Sequence, residues 1–344
     1  MSLEIHTYSH QEVFTLESGA TLPSINIVFH SSVAPASIAG AIEEGRRVVW
    51  ICHALTANSD PSEWWSDLVG QGKYFDSTKD IIICANTLGS CYGTTGPAAW
   101  DGAPLDFPYF SVRDLVSAHV VLRRHLGIDT IDLLVGSSVG GFQALEWAIM
   151  EPAVMSKLIL IACHERISPW ATAFNESQRM AIEADQTFEQ QASLKGGTKG
   201  LQAARSMALI SYRSYVGYNS TQQEEEDNCI RAQRAATYQR YQGMKLSDRF
   251  DAYSYYYMTI MLDTHNVGRN RGGVTKALGS IEAETLTVAI GSDLLFPPSE
   301  LQYMSSKIPQ SKYAEIESAF GHDGFLIEWK ALQKVIGEFL GERK

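Results

Sequence analysis

Two kinds of periodicity divide the chain. Short runs rich in apolar residues recur at 48–52, 81–85, 131–135, 158–162, 286–290 and 313–317. Runs that are apolar on both faces suit parallel strands covered by helices on each side, where neither face meets water. Between them, 112–125 carries apolar residues at helical spacing, and Leu126-Gly127 supplies its stop. Strand, helix and strand in succession predict an α/β architecture: an open, mostly parallel, doubly wound sheet.

The stretch 167–276 breaks this rhythm. It is rich in Gln, Glu, Ala, Arg, Met and Tyr and poor in β-branched runs. Segments 174–184 and 200–215 read as helices, and the acidic run Glu224-Glu225-Glu226-Asp227 reads as a solvated helix start. The sheet rhythm resumes near Leu286 after a glycine-bearing loop at 266–273. The expected organisation is a core at 1–166, a helical lid inserted at 167–276, and the rest of the core at 277–344.

Chemistry enters at Gly136-Ser137-Ser138-Val139-Gly140, a G-x-S-x-G sequence between the 131–135 strand and an apolar helical pattern from Phe142. A sharp strand-to-helix turn lifts the middle serine above the sheet, and glycines are needed where a Cβ would strike the neighbouring strand or helix. The helix N-terminus offers free N–H groups to a developing oxyanion. Ser138 is therefore the candidate nucleophile. In a hydrolase-type sheet the acid and then the histidine follow in the chain. His322, in Phe320-Gly321-His322-Asp323-Gly324, lies just beyond the last strand and is the candidate base; His164 and His265 lie elsewhere. Asp293, directly after the 286–290 strand, is the candidate acid, where it would hold the histidine's tautomer. Its competing role is to cap the helix that Pro297 and Pro298 introduce. The loop His53-Ala54-Leu55-Thr56 follows an early strand, so the backbone amides of Leu55 and Val139 are the candidate oxyanion donors, with His53 orienting the loop.

Composition narrows the picture. A hydrophobic content of 45% in 344 residues supports a sizeable core. The formal net charge of −11 argues against a nucleic-acid partner but leaves room for a local basic patch facing a phosphate-bearing substrate. The five cysteines are widely spaced with no CxxC pair, which predicts reduced thiols and no metal site. No leader sequence and no membrane-length apolar run are visible, so a cytoplasmic enzyme is expected.

Taken in order, these segments resemble the homoserine O-acetyltransferase family, the homoserine O-acyltransferases of the α/β-hydrolase fold. The likeness spans about Trp50 to Glu328. It is carried by Cys52-His53-Ala54-Leu55-Thr56, by 88–97, by Gly136-Ser137-Ser138-Val139-Gly140-Gly141, by Arg249-Phe250-Asp251-Ala252, by Ser292-Asp293-Leu294-Leu295-Phe296-Pro297-Pro298 and by Gly321-His322-Asp323-Gly324. The resemblance implies acyl transfer from acetyl-CoA, a substrate rather than a bound cofactor, to the hydroxyl of L-homoserine for methionine biosynthesis. It also implies a homodimer formed through the helical lid, and substrate contacts at Arg205 and Asp323. An arginine for the carboxylate and an aspartate for the ammonium suit a zwitterion.

Three departures from the family pattern bear on specificity. Val139 stands where methionine is common, Cys163-His164-Glu165-Arg166 replaces smaller residues, and the loop from Pro97 to Leu105 is short. They leave succinyl-CoA as donor, or L-serine as acceptor, as alternatives. An esterase or thioesterase with the same three side chains is the rival enzyme, and a non-catalytic binding protein is the rival from another class.

Overall fold

The apolar runs pair as their composition demands. In a computed structural model describing residues 3–342, eight strands form one sheet. They are β1 (Glu4–His10), β2 (Ile25–Ser31), β3 (Val48–Cys52), β4 (Ile81–Ala85), β5 (Ile131–Ser137), β6 (Met155–Ile161), β7 (Glu284–Ile290) and β8 (Ser311–Ile316), in spatial order β1-β2-β4-β3-β5-β6-β7-β8. From β4 to β8 neighbours are parallel, whereas β1 and β2 join antiparallel at one edge. Every residue of β3 and β4 is buried. The edge strand β1 alternates between exposed and half-buried positions and carries two histidines, so no apolar run announces it.

Alternation along each strand divides the core into two layers. Val48, Trp50 and Cys52 face one layer, with Phe142, Leu145 and Trp147 of helix α2 (Val139–Met150). Val49 and Ile51 face the other, with residues such as Leu332 and Ile336 near the C-terminus. Each large apolar side chain so enclosed contributes about 1.5–3 kcal/mol. Helix α1 (Val112–His125) begins at a capping box, Ser111 with Asp114.

The chain runs from β3 out to β4 and back to β5 on the other side of β3, so the winding direction reverses there. Cys52 and Gly136 are register partners. The loop after β3 and the turn after β5 therefore stand side by side at the carboxyl ends of the strands, where open sheets of this kind hold their ligands.

Between β6 and β7 lie α3 (Pro169–Glu183), α4 (Thr198–Tyr212), α5 (Tyr215–Gln222), α6 (Arg234–Ser247) and α7 (Ala252–Asp263). α4 packs against α3 and α6. The two ends of this insertion meet in a neck, where Ile167 N–H donates to His265 O (3.0 Å) and Val267 N–H to Glu165 O (3.1 Å). α3 starts earlier than the apolar spacing suggested, because Ser168 caps it and Pro169 fills its first position.

Two segments depart from expectation. The helix read over 200–215 ends at Tyr212. Arg213 is extended, and the Ser214 side chain accepts Gly217 N–H (2.9 Å) to cap α5. The acidic run does not start a helix. Instead Glu224 accepts the N–H groups of Gln233 (2.5 Å) and Arg234 (2.7 Å), placing its charge at the N-terminus of α6.

Candidate active site

Ser138 occupies a backbone conformation that few L-residues tolerate, with φ 54° and ψ −124°. The glycines explain how the turn closes. A Cβ on Gly136 would lie 2.1 Å from Gly140 O, and one on Gly140 would lie 2.0 Å from Cys52 O. Ser138 N–H donates to Ile161 O (2.9 Å), tying the turn to β6.

The structure brings together the three side chains read from the sequence. His322 Nε2 lies 2.8 Å from Ser138 Oγ, and its Nδ1 lies 2.7 Å from Asp293 Oδ2. All three residues are buried. Burial depresses the imidazole's affinity for a proton, yet the charge and hydrogen bond of Asp293, helped by the charge of Asp323, raise its pKa above the ordinary value. Asp293 also resolves the competition between acid and cap by dividing its oxygens. Oδ1 accepts Leu295 N–H (2.8 Å) and Phe296 N–H (2.9 Å), leaving Oδ2 for the histidine. The following helix, α8 (Pro298–Ser305), begins without a side-chain cap.

Val139 opens α2, the position whose N–H lacks an acceptor within the helix. Leu55 stands in the neighbouring loop and borders the same cavities as Ser138. That loop is pinned from two sides. His53 Nε2 accepts Thr87 N–H (3.1 Å), so Nδ1 carries the proton toward Ala54 O (2.8 Å). Burial drives the His53 pKa down to about 4, which keeps it neutral and structural. From the insertion, Arg249 donates to Thr56 O and to the Tyr92 hydroxyl.

Two compartments open at Ser138. The larger, about 660 Å³, is bordered by Arg205, Tyr212, Lys245, Arg249, His322 and Asp323. The smaller, about 30 Å³, is bordered by Leu55, Val139 and apolar side chains of the insertion. Arg205 and Asp323, paired in the sequence reading as substrate contacts, thus face one cavity. The Arg205 guanidinium lies over the Tyr212 ring, 5.4 Å from its centre. Asp323 meets Arg213 (3.3 Å). Burial raises the Asp323 pKa, while Arg213, His322 and Arg205 pull it back.

Arg213 and Lys245 were not singled out in the sequence. The signal for Arg213 was Ser214, a helix-capping residue inside an apparently continuous helix. The junction it creates packs tightly on the His322 loop: a Cβ on Gly321 (φ 65°) would lie 2.6 Å from Ser214 N, and Ser214 Oγ donates to Ala319 O.

Comparison with known proteins fits this geometry. The alpha/beta hydrolase fold family model matches residues 47–328. A homoserine O-acetyltransferase of Cyclobacterium marinum is 40% identical over 335 residues, covering 96% of this chain and 93% of that protein. The chain belongs to the homoserine O-acetyltransferase family. It is an enzyme of the α/β-hydrolase fold. A second family member, from Chlorobium luteolum, is 39% identical over 346 residues, covering 97% of this chain and 93% of its own. Among solved structures, the homoserine O-acetyltransferase of Bacillus anthracis superposes with a TM-score of 0.89 at 22% identity, covering 100% and 99% of the two chains. An esterase superposes with a TM-score of 0.86, also at 22% identity, covering 98% and 100%. The fold is therefore common to transferases and hydrolases, and residues at the site must distinguish them.

Proposed function

We propose that this enzyme transfers an acetyl group from acetyl-CoA to the side-chain hydroxyl of L-homoserine through an acyl-Ser138 intermediate. One observation carries the reading: the cavity that reaches Ser138 also presents a guanidinium, Arg205, and a carboxylate, Asp323. These charges complement the carboxylate and ammonium of a free amino acid, and an ordinary ester substrate has no use for both.

In the first step His322 Nε2 takes the Ser138 proton as Oγ attacks the thioester carbonyl. The Leu55 and Val139 amides receive the oxyanion. The carbon–sulfur bond breaks, His322 returns the proton to the departing thiolate, and an ester remains on Oγ. In the second step His322 deprotonates the homoserine hydroxyl. That oxygen forms the new ester, and Oγ recovers its proton. Lys245 and Arg249 at the cavity mouth supply the local positive charge that the phosphates of CoA need on a chain of net charge −11. The helical insertion acts as the lid that limits water, which would otherwise hydrolyse the intermediate. Exposed Ile210 and Met244 of the same insertion support pairing of two copies through it.

The deciding assay crosses acetyl-CoA and succinyl-CoA with homoserine and serine and identifies products by mass spectrometry. O-acetylhomoserine is expected as the main product. Thiol release at full rate without any amino acid would instead establish a thioesterase. Ser138→Ala should abolish acyl-enzyme formation, lowering turnover by about 10³- to 10⁶-fold.

A further inference from the structure

The carbon attacked by Ser138 carries an oxyanion, a leaving group and the acyl substituent, and the three must point in different directions. The oxyanion belongs to the Leu55 and Val139 amides. The bulky, charged leaving group fits only the larger compartment with Lys245 and Arg249 at its mouth. The acyl substituent is left with the small compartment, which touches Ser138, Leu55 and Val139 together.

We infer that this small compartment sets the length and charge of the acyl group, with Phe174 and Leu262 as its limiting walls. The inference rests on the acyl-Ser138 reading above. Its volume is about 30 Å³. A water-sized group needs roughly 10–15 Å³ of such space, so an acetyl methyl fits with room for about one more carbon. A succinyl group would add two methylenes and a carboxylate. None of the bordering side chains of the insertion is ionised: they include Ile167, Phe174, Asn175, Gln178 and Leu262. Both amides are already engaged. Gln178 donates to Phe174 O (2.9 Å) and accepts from the Tyr255 hydroxyl (2.5 Å), and Asn175 donates to Asp263 (2.8 Å). A carboxylate pushed in here would lose its water without gaining a counter-charge. Phe174 packs on Trp170 at the rim, and Leu262 is buried in α7, so the walls belong to packed helices and not to a mobile loop.

The test uses p-nitrophenyl acetate, propionate, butyrate and hexanoate and reads the burst of nitrophenol, which reports acylation alone. These esters need neither CoA nor homoserine, so failure of the transfer reading leaves this test intact. In the unmodified enzyme the burst rate should fall about 10- to 200-fold for the first methylene that exceeds the compartment, at or just beyond propionyl. Phe174→Ala and Leu262→Ala should each raise the butyrate-to-acetate ratio by about tenfold or more. Ala171→Leu, which fills the same space from α3, should lower acylation by acetate itself. Thermal melting and fluorophosphonate labelling of Ser138 report whether each variant is folded. Equal burst rates from acetate to hexanoate in the unmodified enzyme would overturn the inference, even if no variant folds. So would an unchanged ratio in both enlarged variants while Ser138 still labels.

Discussion

The sheet side of the site and the helical side are held by different means. On the sheet side position is a backbone property: Gly136, Gly140 and Cys52 interlock with no space for a side chain, and Ser138 is fixed by the turn they make. On the helical side position is a side-chain property. Arg205 lies over Tyr212, Arg213 holds Asp323, and Arg249 reaches across to Thr56. The Ser138 turn sits where Gly136 and Gly140 leave no space for a Cβ, whereas the residues proposed to choose the substrate are side chains that can be exchanged one at a time. Substitutions on the two sides should therefore fail differently.

The largest effect is expected at Gly140. A Cβ there would stand 2.0 Å from Cys52 O, a backbone atom that cannot swing aside. Gly140→Val should cost more than about 4 kcal/mol, the range in which a single change removes the native state. Soluble yield and circular dichroism measure this, and a folded variant with normal melting would contradict the interlock.

Next is Asp293→Asn, a change that should spare the fold and stop the chemistry. The amide oxygen can still accept Leu295 and Phe296 N–H, so the loop keeps its support. The amide nitrogen then faces His322 Nδ1 and donates to it, forcing the proton onto Nε2, where Ser138 needs an acceptor. A loss of about 10⁴-fold in burst rate is expected with little change in melting temperature. A large loss of stability instead would show that the carboxylate is mainly structural.

The same division decides how much of the molecule is legible in its sequence. The six parallel strands, the elbow and the order of nucleophile, acid and base were legible because each is written in adjacent residues: an apolar run, two glycines around a serine, a polar residue directly after a strand. The antiparallel strands β1 and β2 were not: half the residues of β1 face water, and β2, though mostly buried, mixes Asn26, His30 and Ser31 with its apolar residues. Arg213 was missed because its position depends on a helix break, and Ser214 is a weak signal until its partner Ala319 is seen. Glu224 was misread for a related reason, as it serves a helix start nine residues further on. Phe174 and Leu262 could not be paired at all, because they lie on separate helices, far apart in the chain, whose packing brings both side chains to the Ser138 compartment.

On the helical side, Arg205→Ala should leave a folded protein and weaken the acceptor. A charge-assisted hydrogen bond contributes about 1.5–3 kcal/mol, which corresponds to roughly a 10- to 150-fold rise in KM for homoserine. The burst with p-nitrophenyl acetate should change far less if, as proposed, the guanidinium meets the amino acid and not the acyl group. Equal losses in both half-reactions would move Arg205 to the chemical step and remove the zwitterion argument.

The smallest effect joins the two sides. His322 must be neutral to accept the Ser138 proton, so acylation is lost as pH falls through its folded pKa. That pKa is raised, because the charge and hydrogen bond of Asp293 and the charge of Asp323 outweigh burial. The acid limb of kcat/KM for p-nitrophenyl acetate should therefore lie above about 6.5, the value of an unperturbed histidine. Asp323→Asn removes one of the negative charges and keeps the shape. It makes the imidazolium less favourable, so the limb should move to lower pH, by less than about one unit since Asp293 remains. The direction is diagnostic. A downward shift shows that Asp323, proposed to hold the amino acid, also tunes the base beside it. An unmoved limb would confine Asp323 to the acceptor, and the helical and sheet sides would then be electrostatically separate.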